Sequence, residues 1–284
     1  MHKLKRAYLE ITNVCNLSCS FCPGTKRDPG FLDPEDFRTL ADRLVGHVQY
    51  LYLHLMGEPL LHPHLETILS TAGELGFKVI ITTNGTLLQE KDHFLCSSPA
   101  VHKISLSLHS FEANESSTPF DTYLTDCFDF ARKAAAAQKH CALRLWNLDG
   151  ETTKGANHEN AHILSQMETA FPKPWQPNRN GSTLTPFVYL EWGEKFDWPD
   201  VESQEQVCSG FCYGLRDQVG ILCDGTVVPC CLDHDGDIPL GNLYHQTLEE
   251  ILETPRAKAI YNGFSGRQAV EPLCRTCGYI RRFG

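Results

Sequence analysis

The sequence predicts an α/β protein: a partial (β/α)6 barrel of the TIM type, followed by a small C-terminal unit made of a β-hairpin and a helix. Two patterns lead there. Six short runs rich in Ile, Val, Leu, Tyr or Phe alternate with helical patterns, and strict alternation implies parallel strands joined by right-handed crossovers. Chemically capable residues also gather just past the ends of those runs, where barrel enzymes keep their reactive groups. A length of 284 residues suits one barrel with an appendage, and we place the barrel at 1–200 and the appendage at 201–284.

The expected strands are 7–12, 50–55, 78–83, 102–109, 142–148 and 186–192. Asp33 caps a helix with Pro34 in its first turn, and Phe37, Leu40, Ala41, Leu44 and Val45 mark its apolar face. The next helix buries Leu65, Ile68, Leu69, Ala72 and Leu75 and stops at Gly76. A longer helix runs over about 122–138, where four alanines supply propensity. Residues 149–186 turn polar and Pro-rich apart from a short helix at 160–170, and a loop of that length reads as a lid. Ser105 and Ser107 share one face of the fourth strand. Small residues filling a tapered lumen explain them as well as ligand contact does. Arg144, inward on the fifth strand, needs an anionic partner, either a ligand or a structural acid.

The stretch Cys15-Asn16-Leu17-Ser18-Cys19-Ser20-Phe21-Cys22 holds three thiols too close to pair among themselves. Three cysteines suit a [4Fe–4S] cluster with one iron left open to a small molecule. Zinc is the rival, yet structural zinc sites close all four positions and usually repeat the Cys-x2-Cys pair, and no second pair accompanies Cys19 and Cys22 in this stretch.

This C-x3-C-x-aromatic-C arrangement after a first strand resembles the signature of the radical S-adenosylmethionine (SAM) superfamily. The resemblance implies that Cys15, Cys19 and Cys22 hold the cluster and that SAM chelates the open iron. An electron then splits SAM to a 5′-deoxyadenosyl radical that abstracts hydrogen from an unactivated C–H bond. It places Phe21 near the adenine, or, read without the family, as a shield against water. Met56-Gly57-Glu58-Pro59 is similar to the family's GGEP segment with Met56 in place of a glycine, implying backbone contact with the SAM amino group and an indirect role for Glu58. Asn84, in Thr83-Asn84-Gly85, resembles a further SAM-side segment, although an Asn-Gly turn needs no ligand. Ser105 and Ser107 become ribose contacts and Arg144 a partner of the SAM carboxylate. The family also implies an electron donor such as flavodoxin or ferredoxin.

The last eighty or so residues hold a second cysteine group. Asp224-Gly225 marks a hairpin between 219–222 and 226–228, and Thr247 with Glu250 opens a helix as a capping box. The order Cys, hairpin, Cys, helix, Cys-x2-Cys resembles the twitch form of the SPASM domain. It implies one auxiliary [4Fe–4S] cluster on Cys212, Cys230, Cys274 and Cys277, with Cys208 able to replace Cys212 and zinc a competitor. The end of the chain at Gly284 leaves no room for the cysteines of a second auxiliary cluster. Cys223 and Cys231 remain as buried thiols or as hydrogen donors to a substrate radical. Glu191 is a candidate base, or a solvent-facing acid. Cys96, Cys127 and Cys141 read as small buried hydrophobes.

A net charge of −10 without a basic face argues against nucleic acid, and no run approaches a membrane span. Thirteen cysteines clustered for metal binding suit a reducing, cytoplasmic setting. The expected function is oxidation or other modification of a small polar molecule or a peptide. A first strand beginning at Ala7 leaves no room for a leader-peptide domain, which favours a small molecule or a separately delivered substrate. The alternative is a non-catalytic iron–sulfur electron carrier, which explains the cysteines but not 56–59.

Overall fold

The computed structural model describes residues 4–112, 119–150, 153–204 and 210–283. All six expected strands form: β1 (Arg6–Leu9), β2 (Tyr50–Tyr52), β3 (Lys78–Thr83), β4 (Val101–Ser107), β5 (His140–Leu148), and, after an added hairpin of β6 (Gln176–Asn178) and β7 (Gly181–Thr185), β8 (Val188–Glu194). Each of the six runs parallel to its neighbours in the order β1-β2-β3-β4-β5-β8. The helices between them are α1 (Pro34–Asp42), α2 (Leu65–Glu74), α3 (Leu88–Ser97), α4 (His109–Glu112), α5 (Phe120–Ala136) and α6 (Asn160–Ala170). The partial barrel is therefore present.

The second cysteine region extends this sheet instead of standing apart. Its hairpin, β9 (Gln218–Ile221) and β10 (Thr226–Val228), turns at Gly225 with φ +81°. β9 then pairs parallel to β1, Ala7 opposite Val219 and Leu9 opposite Ile221. β11 (Gly241–Asn242), α7 (Leu248–Leu252), α8 (Pro255–Ser265) and α9 (Pro272–Arg275) complete the unit. The Thr247–Glu250 capping box forms as expected.

Alternation sorts the strand residues. Leu9, Leu51, Val79, Ile81, Ile104, Leu106, Leu143 and Leu145 are buried, in one hydrophobic core with Phe37, Leu40, Ile68, Leu69, Leu124 and Phe128 of the helices. Ser105 and Ser107, of opposite parity, face the lumen. Cys127 and Cys141 are buried and Cys96 is half-buried against the same core.

Several expectations need correction. β1 stops at Leu9 and β2 at Tyr52, short of residues 12 and 55, because the segments beyond them bend into loops of the site. Val45 is 43% exposed, since α1 ends at Asp42 and the apolar face does not reach it. The segment read as a lid contains α6 where expected, but 176–185 form an antiparallel hairpin on the β8 edge. Its polar, solvent-facing strands carry no hydrophobic alternation to announce them.

Candidate active-site cavity

The cysteine loop is tied down at both ends. On its near side Thr12 donates to the Gly30 carbonyl at 2.8 Å, and the Asn13 amide bridges Asp28 and Gly30 at 2.9 and 2.8 Å. On its far side Arg27 forks onto the wholly buried Glu10 carboxylate at 2.7 and 2.8 Å and donates to the His234 carbonyl at 2.8 Å. Thr25 and the Lys26 amide both donate to Asp235. The loop is thereby held to β1 and to the second cysteine region at once. Within it, Cys15 and Cys22 are exposed and Cys19 is half-buried.

Gly57 explains itself by crowding. Its φ is +75°, and a Cβ there would lie 2.4 Å from the Thr12 carbonyl oxygen, so only glycine lets the 56–58 segment reach the cysteine loop. The Glu58 amide then donates to the Val14 carbonyl at 2.8 Å, and the Met56 amide to Glu10 at 3.2 Å. The Glu58 carboxylate accepts from the amides of Leu60 at 3.0 Å and Asn84 at 2.7 Å. Burial pushes its pKa up to about 7 despite these bonds. Asn84 in turn donates to Asn16 in the loop at 2.8 Å. Met56, Gly57, Glu58 and Asn84 thus form a buried shell that fixes the loop.

A cavity of about 860 Å³ opens beside that loop, in the upper part of the range for ligand sites. Phe21, Ser105, Ser107, Arg144 and Glu191 line it, and so do Cys212, Cys230, Cys231, Cys274 and Cys277. The Phe21 ring lies 5.1 Å from that of His109. Arg144 stacks on Trp146 at 3.6 Å. Depth in the barrel lowers its pKa against the opposing pull of Glu191, its register partner on β8, which is ion-paired to Lys103 and not to Arg144. Burial and the Arg144 charge hold His54 down to about 3 and His109 to about 4, so both rings are neutral.

Four polar atoms in the wall lack partners: the donors Arg6 Nε, Arg144 Nε and Trp146 Nε1, and His54 Nδ1. Unpaired polar atoms on a cavity are what a polar cofactor such as SAM would satisfy. The second donor set also fits its group. Burial first, then the neighbouring thiols, raises the pKa of Cys230, Cys274 and Cys277, the last to about 12. Thiols within electrostatic reach of one another are a donor set that a metal centre would hold as thiolates.

Two expectations change here. Cys223 donates its thiol to the Glu10 carbonyl, 3.3 Å away, and does not line the cavity, which speaks against it as a hydrogen donor to substrate. Glu191 is not solvent-facing but bound to Lys103 at 2.6 Å. Cys208 lies outside the described residues. Arg6, Tyr52, His54, Lys103 and Trp146 were not singled out from sequence, although inward alternation at 50, 52 and 54 and at 144 and 146 marks their positions.

Residues 9–154 match the model of the Radical SAM superfamily, and residues 212–278 match SPASM, an iron-sulfur cluster-binding domain. Among curated proteins, the tungsten-containing aldehyde ferredoxin oxidoreductase cofactor-modifying protein of Pyrococcus furiosus is 33% identical over 92 residues, 31% of this chain and 26% of that protein. The GTP 3′,8-cyclase of Synechococcus sp. is 28% identical over 211 residues, 67% of this chain and 56% of that enzyme. The matches thus span less than two thirds of either relative. The antilisterial bacteriocin subtilosin biosynthesis protein AlbA of Bacillus subtilis is 23% identical, over 96% of this chain and 65% of its own length. The fold is that of BtrN in complex with AdoMet and 2-DOIA (TM-score 0.60, 19% identity, 98% of this chain and 94% of that one). It is also that of Streptococcus suis SuiB bound to precursor peptide SuiA (TM-score 0.62, 15% identity, 98% and 71%).

Proposed function

The chain belongs to the radical SAM superfamily, and from that premise we propose that it is an oxidoreductase that abstracts hydrogen from a small polar molecule or a peptide. In this reading residues 1–200 form the SAM barrel and 201–284 the auxiliary-cluster unit. Its cofactors are SAM, a SAM-binding [4Fe–4S] cluster and an auxiliary [4Fe–4S] cluster, with flavodoxin or ferredoxin as electron donor. The observation that carries the reading is that the wall beside the first cysteine loop and the thiols of the second group line one cavity. An electron carrier needs no such enclosed space.

When bound, SAM and the reduced cluster supply a hydrogen-abstracting radical. The chain's part is placement. Cys15, Cys19 and Cys22 hold the first cluster, and Phe21 excludes water beside it. Met56, Gly57 and Asn84, fixed by Glu58, present backbone to the SAM amino group. Ser105 and Ser107 take the ribose, and Arg144 the carboxylate. Cys212, Cys230, Cys274 and Cys277 hold the auxiliary cluster, which suits it to accept the second electron of an oxidation. Glu191, held by Lys103 at 2.6 Å, is the base for the departing proton. Cys231 is the thiol placed to return a hydrogen if the outcome is epimerisation.

Two measurements test this. The reduced, reconstituted protein should form 5′-deoxyadenosine from SAM, and replacing Cys15, Cys19 and Cys22 by Ala should abolish it; continued formation in that variant would refute the ligand assignment. With substrate in heavy water, a product lighter by two hydrogens supports oxidation, whereas one solvent deuterium without net oxidation identifies epimerisation through Cys231.

A further inference from the structure

The chain carries a net charge of −10, yet cations project into its cavity from β1, β4 and β5, namely Arg6, Lys103 and Arg144. Lys103 is answered by Glu191 at 2.6 Å. On the reading above, Arg144 is answered by SAM. Arg6 is left over. Its electrostatic neighbours are Tyr8, Tyr52 and Cys231, with no carboxylate among them, and its Nε has no partner.

The groups around Arg6 form one wall. The Tyr8 ring stacks on Tyr52 at 4.5 Å between centroids. His54 stands edge-on to both, at 5.7 and 6.0 Å, with its Nδ1 also unpaired. Tyr52 is bonded to Arg6 through its hydroxyl. Arg6 is half-buried and its neighbours are phenols and a thiol with no carboxylate, and unpaired donors turned to a cavity are ordinarily met by a ligand. The shared complement of a guanidinium, a phenol and an imidazole in its Nδ1–H tautomer is an oxyanion.

We propose that this wall recognises the substrate, and that the substrate is an anion whose carboxylate or phosphate seats on Arg6 with Tyr52 and His54 beside it. The inference rests on the radical SAM reading for the identity of the cavity and for the assignment of Arg144. Strand register puts Arg6 level with Tyr50 and Lys78, and Ser105 level with Thr82. Arg6 therefore lies four residues of strand, about 13 Å, from the level of the proposed ribose contact, with Tyr52 and then His54 rising between them. A small acid, or an acidic side chain of a peptide, fits between with its far end towards SAM. The same chemistry serves a carboxylate and a phosphate, and the test separates them.

The reconstituted enzyme is titrated calorimetrically with succinate, with inorganic phosphate and with neutral succinamide, with and without saturating SAM. At least one anion should bind more tightly than succinamide, and which one it is identifies the group. Arg6→Gln should weaken that binding by about tenfold or more, as loss of a charge-assisted bond requires, while Arg6→Lys weakens it less. Tyr52→Phe, which keeps the ring stack, should weaken it severalfold. SAM affinity should be unchanged in all three variants. The proposal is overturned if neither anion outbinds succinamide. It is equally overturned if Arg6→Gln leaves anion binding intact and shifts the auxiliary-cluster potential, since Arg6 then answers the cluster's charge. Failure of wild-type protein to bind SAM would count against the radical SAM reading instead, and the SAM-free titration still decides the anion question.

Discussion

Arg144 has a ring beneath its charge, and the acid opposite it across the strand pair, Glu191, is taken up by Lys103 at 2.6 Å. If SAM is the missing partner, Arg144→Gln should weaken SAM binding by roughly 1.5 to 3 kcal/mol and leave iron content normal. Unchanged SAM affinity would make Arg144 a structural cation. His54 tests the depth of the same lumen. Its folded pKa, about 3, lies below the ordinary 6.5, so the stability it contributes is complete above pH 6.5 and is lost as pH falls towards 3. Between pH 6.5 and 5 the loss should run up to about 1.4 kcal/mol per unit. Urea unfolding of His54→Gln should show a slope reduced by that amount, and an unaltered slope would place the ring in water. Arg144, Ser105 and Ser107 were legible in sequence because strand alternation assigns their face. Arg6 was not, because a single polar residue at a strand end looks the same whether it meets solvent or a cavity.

The cysteine loop depends on an element that motif reading passes over, the buried fork of Arg27 on Glu10. Removing one partner of such a pair strands the other charge, at a cost of about 3 kcal/mol. Arg27→Ala should lose that much in urea unfolding and should shed iron from the first cluster before the auxiliary one. Equal loss from both clusters would mean that the fork stabilises the fold without holding the loop. At this scale legibility follows periodicity. Helix α6 was expected at its observed limits because its apolar residues repeat at helical spacing, and β3 likewise matched its run of Val and Ile. Helix α3 was not located, since only Leu88, Phe94 and Leu95 are buried among its polar residues.

For the molecule as a whole, the decisive arrangement is long-range. The 218–228 hairpin was readable from Asp224-Gly225, but its parallel pairing with β1 was not, because a strand's sequence does not name its neighbour. That pairing, with Arg27 bound to His234 and Thr25 to Asp235, brings the first cysteine loop, through Ser20 and Phe21, and the thiols of the second group to one cavity. Iron analysis of three reconstituted proteins tests this two-centre account most directly. It predicts about eight irons in the wild type, about four when Cys15, Cys19 and Cys22 are alanine, and about four when Cys212, Cys230, Cys274 and Cys277 are alanine. About four irons plus one zinc in the wild type, with the zinc lost only from the second variant, would contradict it.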